Sequence, residues 1–147
     1  MSDANTDFRD LLLRMSEAIC AGDGAATAAC FCPDGSYYDC FYGEFHGHDD
    51  IARMVEQFFH RDGKEFVWHL GDVACTGAIG FARYRFGYTA RIIGYEGRRV
   101  EFDGISHCTL RDGLIGRYDE IFDRGLGLVQ LGFPPERIVK ALRKHLK

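Results

Sequence analysis

Two carboxylates draw attention through their neighbours rather than through a motif. Asp39 sits in Tyr37-Tyr38-Asp39-Cys40-Phe41-Tyr42, a run that is otherwise aromatic or thiol. Glu120 sits in Leu114–Asp123, which reads as a strand. There, period-two alternation puts Leu114, Gly116, Tyr118, Glu120 and Phe122 on one face and Ile115, Arg117, Asp119, Ile121 and Asp123 on the other. The first set is the more apolar and should face the core, with Glu120 in its middle. Burial disfavours the ionised form of a carboxyl and raises its pKa toward the range useful to a general acid or base. Two such acids from distant segments point to proton-transfer chemistry more strongly than either does alone. The competing readings are structural: Glu120 paired with an arginine or at a sheet edge, and Asp39 as a turn or edge aspartate.

The other strands supply the surroundings. Val100, Phe102, Gly104, Ser106, Cys108 and Leu110 form an apolar face interrupted by one hydroxyl. Ser106 either orients a ligand or bonds to backbone. His107 falls on the polar face with Asp103 and is left out of the site. On Ile79–Ile93 the core face is Ala82, Tyr84, Phe86, Tyr88 and Ala90, which sends Arg83 and Arg85 outward. On Glu65–Cys75 it is Phe66, Trp68 and Leu70, with His69 opposite. A bend or bulge would reverse either assignment.

The six cysteines, Cys20, Cys30, Cys32, Cys40, Cys75 and Cys108, lack the paired spacing of a zinc site. Only Cys30-Phe31-Cys32 is close, and its spacing is wrong for a knuckle. They read as buried, reduced thiols acting as small hydrophobes. No metal and no cofactor are expected.

The elements that must position these groups follow from periodicity. Phe8, Leu11, Leu12, Met15 and Ile19 predict an amphipathic helix over 7–21, capped by Thr6 or Asp7 and ended by Gly22-Asp23. A short helix over about 25–32, stopped by Pro33-Asp34-Gly35, and a strand over 36–42 follow. A third helix starts at Asp49 or Asp50 and carries Ile51, Met54, Val55, Phe58 and Phe59. Four strands separated by Thr76-Gly77, Gly94-Tyr95-Glu96-Gly97 and Arg111-Asp112-Gly113 predict an antiparallel meander. A terminal helix begins at Pro134-Pro135-Glu136. The expected class is α+β: N-terminal helices packed into a curved antiparallel sheet, with a pocket between them.

Composition is consistent with this. A chain of 147 residues, 46% hydrophobic, is one domain with a sizeable core. A net charge of -4 argues against a nucleic-acid binder. No apolar run approaches a membrane span, so no membrane association is expected. Residues 1–7 do not resemble a signal peptide, which makes a cytoplasmic location the expectation.

The ordered pieces Arg14-Met15-Ser16-Glu17-Ala18-Ile19-Cys20-Ala21-Gly22-Asp23, Phe31-Cys32-Pro33-Asp34-Gly35, Asp112-Gly113-Leu114-Ile115, Phe122-Asp123 and Gln130-Leu131-Gly132 span nearly the whole chain. Together they resemble the SnoaL-like branch of the nuclear-transport-factor-two-like superfamily. The resemblance implies a single domain over 1–147 with a cone-shaped, cystatin-like fold, a deep apolar pocket and a homodimer. Asp39 stands where ketosteroid isomerases carry their general base, but Met15 and Ser106 occupy the positions of their two oxyanion donors. Tyr37, Asp39, Arg83, Arg85 and Glu120 match the limonene epoxide hydrolase positions, with Arg85 replacing a carboxylate. That match would also require Arg83 in the pocket. In the polyketide cyclases the acid/base aspartate corresponds to Glu120 and the pocket histidine to Ser106. Members of the superfamily also carry a histidine near His69.

The combined expectation is a small, cofactor-independent acid/base enzyme, a lyase or isomerase/cyclase acting on a hydrophobic carbonyl compound. Asp39 or Glu120 would abstract a proton. Tyr37, Tyr118 and Ser106 would hold the oxygen, Phe102 and Phe122 would shape the wall, and His69 is a further pocket candidate. The alternatives are a non-catalytic domain that binds a small hydrophobic molecule, and a structural domain with a filled pocket.

Overall fold

The computed structural model describes residues 3–147. Helix α1 (Ala4–Ala21) starts earlier than its apolar periodicity indicates, because the Asp3 carboxylate accepts from Thr6 N at 2.7 Å and caps the first turn. It buries Phe8, Leu11, Leu12, Met15 and Ile19. The left-handed Gly22 (φ 75°) ends it, and Asp23 at once caps the short α2 (Gly24–Ala28). Strand β1 (Phe31–Asp39) starts before the expected residue 36 and runs through Pro33-Asp34-Gly35, the segment expected to stop the second helix. Pro33 is tolerated there because the pairing of β1 with its neighbour is interrupted between Phe31 and Ser36.

β1 ends at Asp39, three residues before the expected end. It turns into a short strand, β2 (Gly43–His46), that periodicity does not reveal. One continuous helical run follows: α3 (His48–Arg53), a π-helical stretch over Met54–Phe59, and α4 (His60–Asp62). The long strands are β3 (Gly63–Cys75), β4 (Ile79–Ala90), β5 (Arg99–Arg111) and β6 (Leu114–Phe122). After them come α5 (Arg124–Gln130), which apolar spacing does not announce, and α6 (Pro135–Arg143).

The six strands form one sheet in the order β2-β1-β6-β5-β4-β3. The meander over β3 to β6 is antiparallel as expected. The β1–β6 pair is parallel, since the chain reaches β6 only after the whole meander. Register shifts at Lys64/Val67 and Leu70/Val73 bend β3, where Glu65 adopts φ 54°. The resulting curved sheet makes the α+β cone. Its concave face is filled at one end by α1, Tyr37 and the π-helical stretch. At the other end Tyr84, Tyr88, Val100, Phe102 and Phe122 pack with Leu128 and Leu131 from the C-terminal part. Among the described residues no helix is long and apolar enough to cross a membrane.

Candidate active site

Adjacent strands β1 and β6 bring the two acids together. Tyr37 is registered with Tyr118, so Asp39 and Glu120, each two residues further along parallel strands, come side by side. Both are 5% exposed. Asp39 Oδ2 accepts from the N–H groups of Phe41 and Tyr42 at 2.8 and 2.9 Å. This turn ends β1 and fixes the carboxyl. Glu120 Oε2 accepts from the Tyr84 hydroxyl at 2.6 Å, and Oε1 accepts from Cys40 N at 3.4 Å.

Tyr84 reaches Glu120 across the intervening strand because its partner on β5 is Gly104. A Cβ at Gly104 would lie 2.4 Å from Tyr84 Cζ and Oη. The absence of a side chain there is what lets the phenol pass over β5 to β6.

Burial raises the pKa of both acids, but not equally. Asp39 is pulled back by a hydrogen bond from Glu120, by the Tyr42 and Phe41 N–H groups and by the Arg124 charge. Glu120 is pushed further up by the Asp39 charge and by donating to it, and only partly relieved by Tyr84 and Cys40. The two carboxyls therefore titrate as a coupled pair, with Glu120 held up the more strongly of the two. Two adjacent acids that release their protons in separate steps can serve as donor and acceptor at one place.

Above them lies a chamber of about 40 Å³, walled by Tyr37, Phe41, Phe59, Trp68, Tyr84 and Phe86 together with Tyr88, Phe102 and Phe122. That is room for roughly two or three water molecules or one small group. Phe102 and Phe122 stack at 4.0 Å, and Trp68 lies 5.0 Å from Tyr84. Tyr42 and Asp62 also line the chamber. The Tyr42 hydroxyl donates to Asp62 Oδ2 at 2.6 Å, and Arg61 holds Asp62 through Nε and Nη2.

Of the residues singled out in the sequence, Asp39, Glu120, Tyr37, Phe102 and Phe122 line this chamber. Tyr118 and Ser106 do not reach it. Tyr118 is stacked behind Tyr37 at 4.3 Å, and Ser106 Oγ lies 2.7 Å from the Tyr118 hydroxyl on the far side. Both are buried on the core-facing side of their strands, and the Tyr37 ring intervenes between Tyr118 and the chamber. His69 is exposed on the outer face opposite Arg85, as the alternation of β3 indicates and contrary to its place in the pocket by resemblance. Arg83 and Arg85 also point outward. Tyr42, Asp62 and the bond from Tyr84 are site features that sequence reasoning does not supply. Tyr84 is legible as core-facing, but its reach to Glu120 depends on cross-strand register, which no single strand displays. No group of side chains suited to holding a metal ion is found among the described residues, and the six cysteines are unpaired thiols.

A helix-filled, curved-sheet cone over an acid-bearing aromatic chamber defines a class of small pocket proteins. The SnoaL-like domain model matches residues 12–118, and the chain belongs to that family. Among solved structures it is similar to a protein from Catenulispora acidiphila with a ketosteroid isomerase-like fold, in complex with trimethylamine (15% identity, TM-score 0.77, covering 86% of this chain and 95% of that one). It is also similar to an LEH-like epoxide hydrolase from Mycobacterium tuberculosis (18%, 0.70, 97% and 98%). A candidate polyketide cyclase from Xanthomonas campestris is a further neighbour (19%, 0.71, 88% and 99%). At these identities the likeness establishes the fold alone. A search of curated proteins found no match.

Proposed function

We propose that the protein is a cofactor-independent acid/base enzyme, a lyase or isomerase/cyclase acting on a hydrophobic carbonyl compound. The observation that carries this reading is the side-by-side burial of Asp39 and Glu120 at the wall of an aromatic chamber. Asp39, anchored by two N–H groups and acting in its ionised form, takes a proton from the carbon next to the carbonyl. Glu120, aligned by Tyr84, supplies its proton to the oxygen or to a second carbon. Reprotonation restores the pair, so the steps balance without a co-reactant. The aromatic walls exclude water and strengthen both interactions.

The test is α-proton exchange of a small ketone such as cyclopentanone in deuterated water, followed by NMR. Glu120→Gln and Asp39→Asn should each lower exchange by about 10²–10⁴-fold, the usual contribution of a positioned acid or base. Folding of the variants is checked by thermal melts. Exchange at the wild-type rate in either variant sinks the assignment.

The size of the chamber favours a second reading, binding of a small molecule without turnover. The Catenulispora relative in complex with trimethylamine supports small-ligand binding by this fold. Thermal stabilisation by a ligand that shows no exchange would select it. The reading also takes the whole chain as one domain, cytoplasmic, and paired with a second copy through the outer sheet face. On that face Phe81, Ile105 and Ile121 are exposed apolar residues.

A further inference from the structure

The catalytic chamber is too small for most hydrophobic carbonyl compounds, but it does not stand alone. A second cavity of about 180 Å³ abuts it, and Phe41, Tyr42, Asp62 and Tyr88 form walls of both. Its apolar lining comes from Leu128, Leu131 and Phe133 and from Ala141 and Leu142 of α6. Three nitrogen-bearing side chains, Arg124, Lys144 and His145, line the same space.

Arg124 is fixed in place. Its Nε donates to Cys40 O at 2.6 Å and its Nη2 to the Tyr38 hydroxyl at 2.9 Å. Among the described residues no carboxylate forms an ion pair with Arg124, Lys144 or His145. The one acid in the wall, Asp62, is already held by Arg61 and Tyr42. Crowding of these groups shows at His145, whose pKa is lowered by burial and then by the Arg124 and Lys144 charges. An apolar space with cationic side chains at its wall that form no contact ion pair is complementary to an amphipathic anion.

We infer that this outer cavity is a substrate subsite for an apolar chain ending in an anionic group. The anion lies against Lys144 and Arg124, and the chain runs past Tyr42 toward the acid pair. The inference rests on the acid/base reading and narrows its substrate to a carbonyl compound with an anionic tail. It also accounts for the position of α6, which has no buried residue yet supplies the outer wall of the subsite.

The test uses hexanoate against 1-hexanol, with affinity measured by calorimetry and the ring of His145 followed by NMR. Hexanoate should bind at least about tenfold tighter than the alcohol. Lys144→Gln should lower hexanoate affinity by about three- to tenfold and leave hexanol unchanged, and Lys144→Arg should restore it. Bound hexanoate should raise the His145 pKa, because a nearby anion favours the protonated ring. Equal binding of acid and alcohol, an unchanged hexanoate affinity in Lys144→Gln, or an unmoved His145 titration each overturns the subsite. The two readings fail separately. Intact hexanoate binding with no cyclopentanone exchange removes the enzyme and keeps the subsite, whereas exchange without hexanoate binding does the reverse.

Discussion

The Tyr84 hydroxyl lies 2.6 Å from Glu120 Oε2, with one strand between the two residues and Gly104 making the passage. This bond lowers the Glu120 pKa against the burial and the Asp39 charge that raise it. Tyr84→Phe removes it while keeping the ring. The alkaline limb of a pH–exchange profile, where Glu120 loses its proton, should then move to higher pH, and stability should fall by about 0.5–1.5 kcal/mol. An unmoved profile would dissociate Tyr84 from the acid pair.

Gly104→Ala tests the same passage from the other side. The new methyl meets the Tyr84 ring at 2.4 Å, and that buried ring is backed by Trp68 at 5.0 Å. Overpacking of this kind costs about 1–3 kcal/mol. Chemical denaturation should show that loss, and exchange activity should drop with it. A variant as stable and active as the parent would mean that the phenol can take another path.

The pH dependence of stability has a definite sign. Glu120 has a folded pKa well above the ordinary 4.5, so above pH 4.5 the native state holds a proton that the unfolded chain has released. Stability contributed by this group is complete below about that pH and is lost as pH rises toward its folded pKa. Asp50 and Asp62, lowered from 3.8, act oppositely and lose their contribution as pH falls below that value. Melting temperatures should therefore decline from mildly acidic to alkaline pH, and Glu120→Gln should flatten that decline. An equally steep decline in the variant would assign it to other groups.

The thiols should differ in reactivity. Burial pushes Cys20 and Cys40 up to about 11 and Cys108 higher still. Alkylation at neutral pH, resolved by peptide mass, should therefore label the half-buried Cys75 first and Cys108 only after unfolding. Early labelling of Cys108 would show that the β5 face opens in the native state.

Ile105 and Ile121 are cross-strand partners on the outer face of the sheet, with Ile121 77% exposed. If that face joins two copies, Ile121→Glu should convert a dimer to a monomer in sedimentation experiments with little change in melting of the single chain. A monomeric parent protein, or a variant that remains dimeric, removes the proposed interface.

Much of the strand alternation is readable directly. Glu120 among Tyr118 and Phe122, Tyr84 among Ala82 and Phe86, and the outward arginines all follow from period two, because each strand has one face against the core. Element ends are less legible. Pro33 reads locally as a stop, but it falls in a gap in the β1–β6 ladder where no N–H is required. The glycine-rich α5 carries weak helical propensity and begins because Asp123 accepts from Leu126 N at 3.1 Å.

What the chain determines residue by residue is therefore which groups are buried: apolar periodicity and desolvation act over a few positions, and they mark Asp39 and Glu120 as acids in greasy surroundings. What only tertiary structure decides is which buried groups meet. The parallel β1–β6 pairing places the acids side by side, cross-strand register carries Tyr84 over Gly104, and the turn after the C-terminal helix brings Lys144 and His145 to the outer cavity. Those relationships arise from segments up to a hundred residues apart, and local propensity contains no information about them.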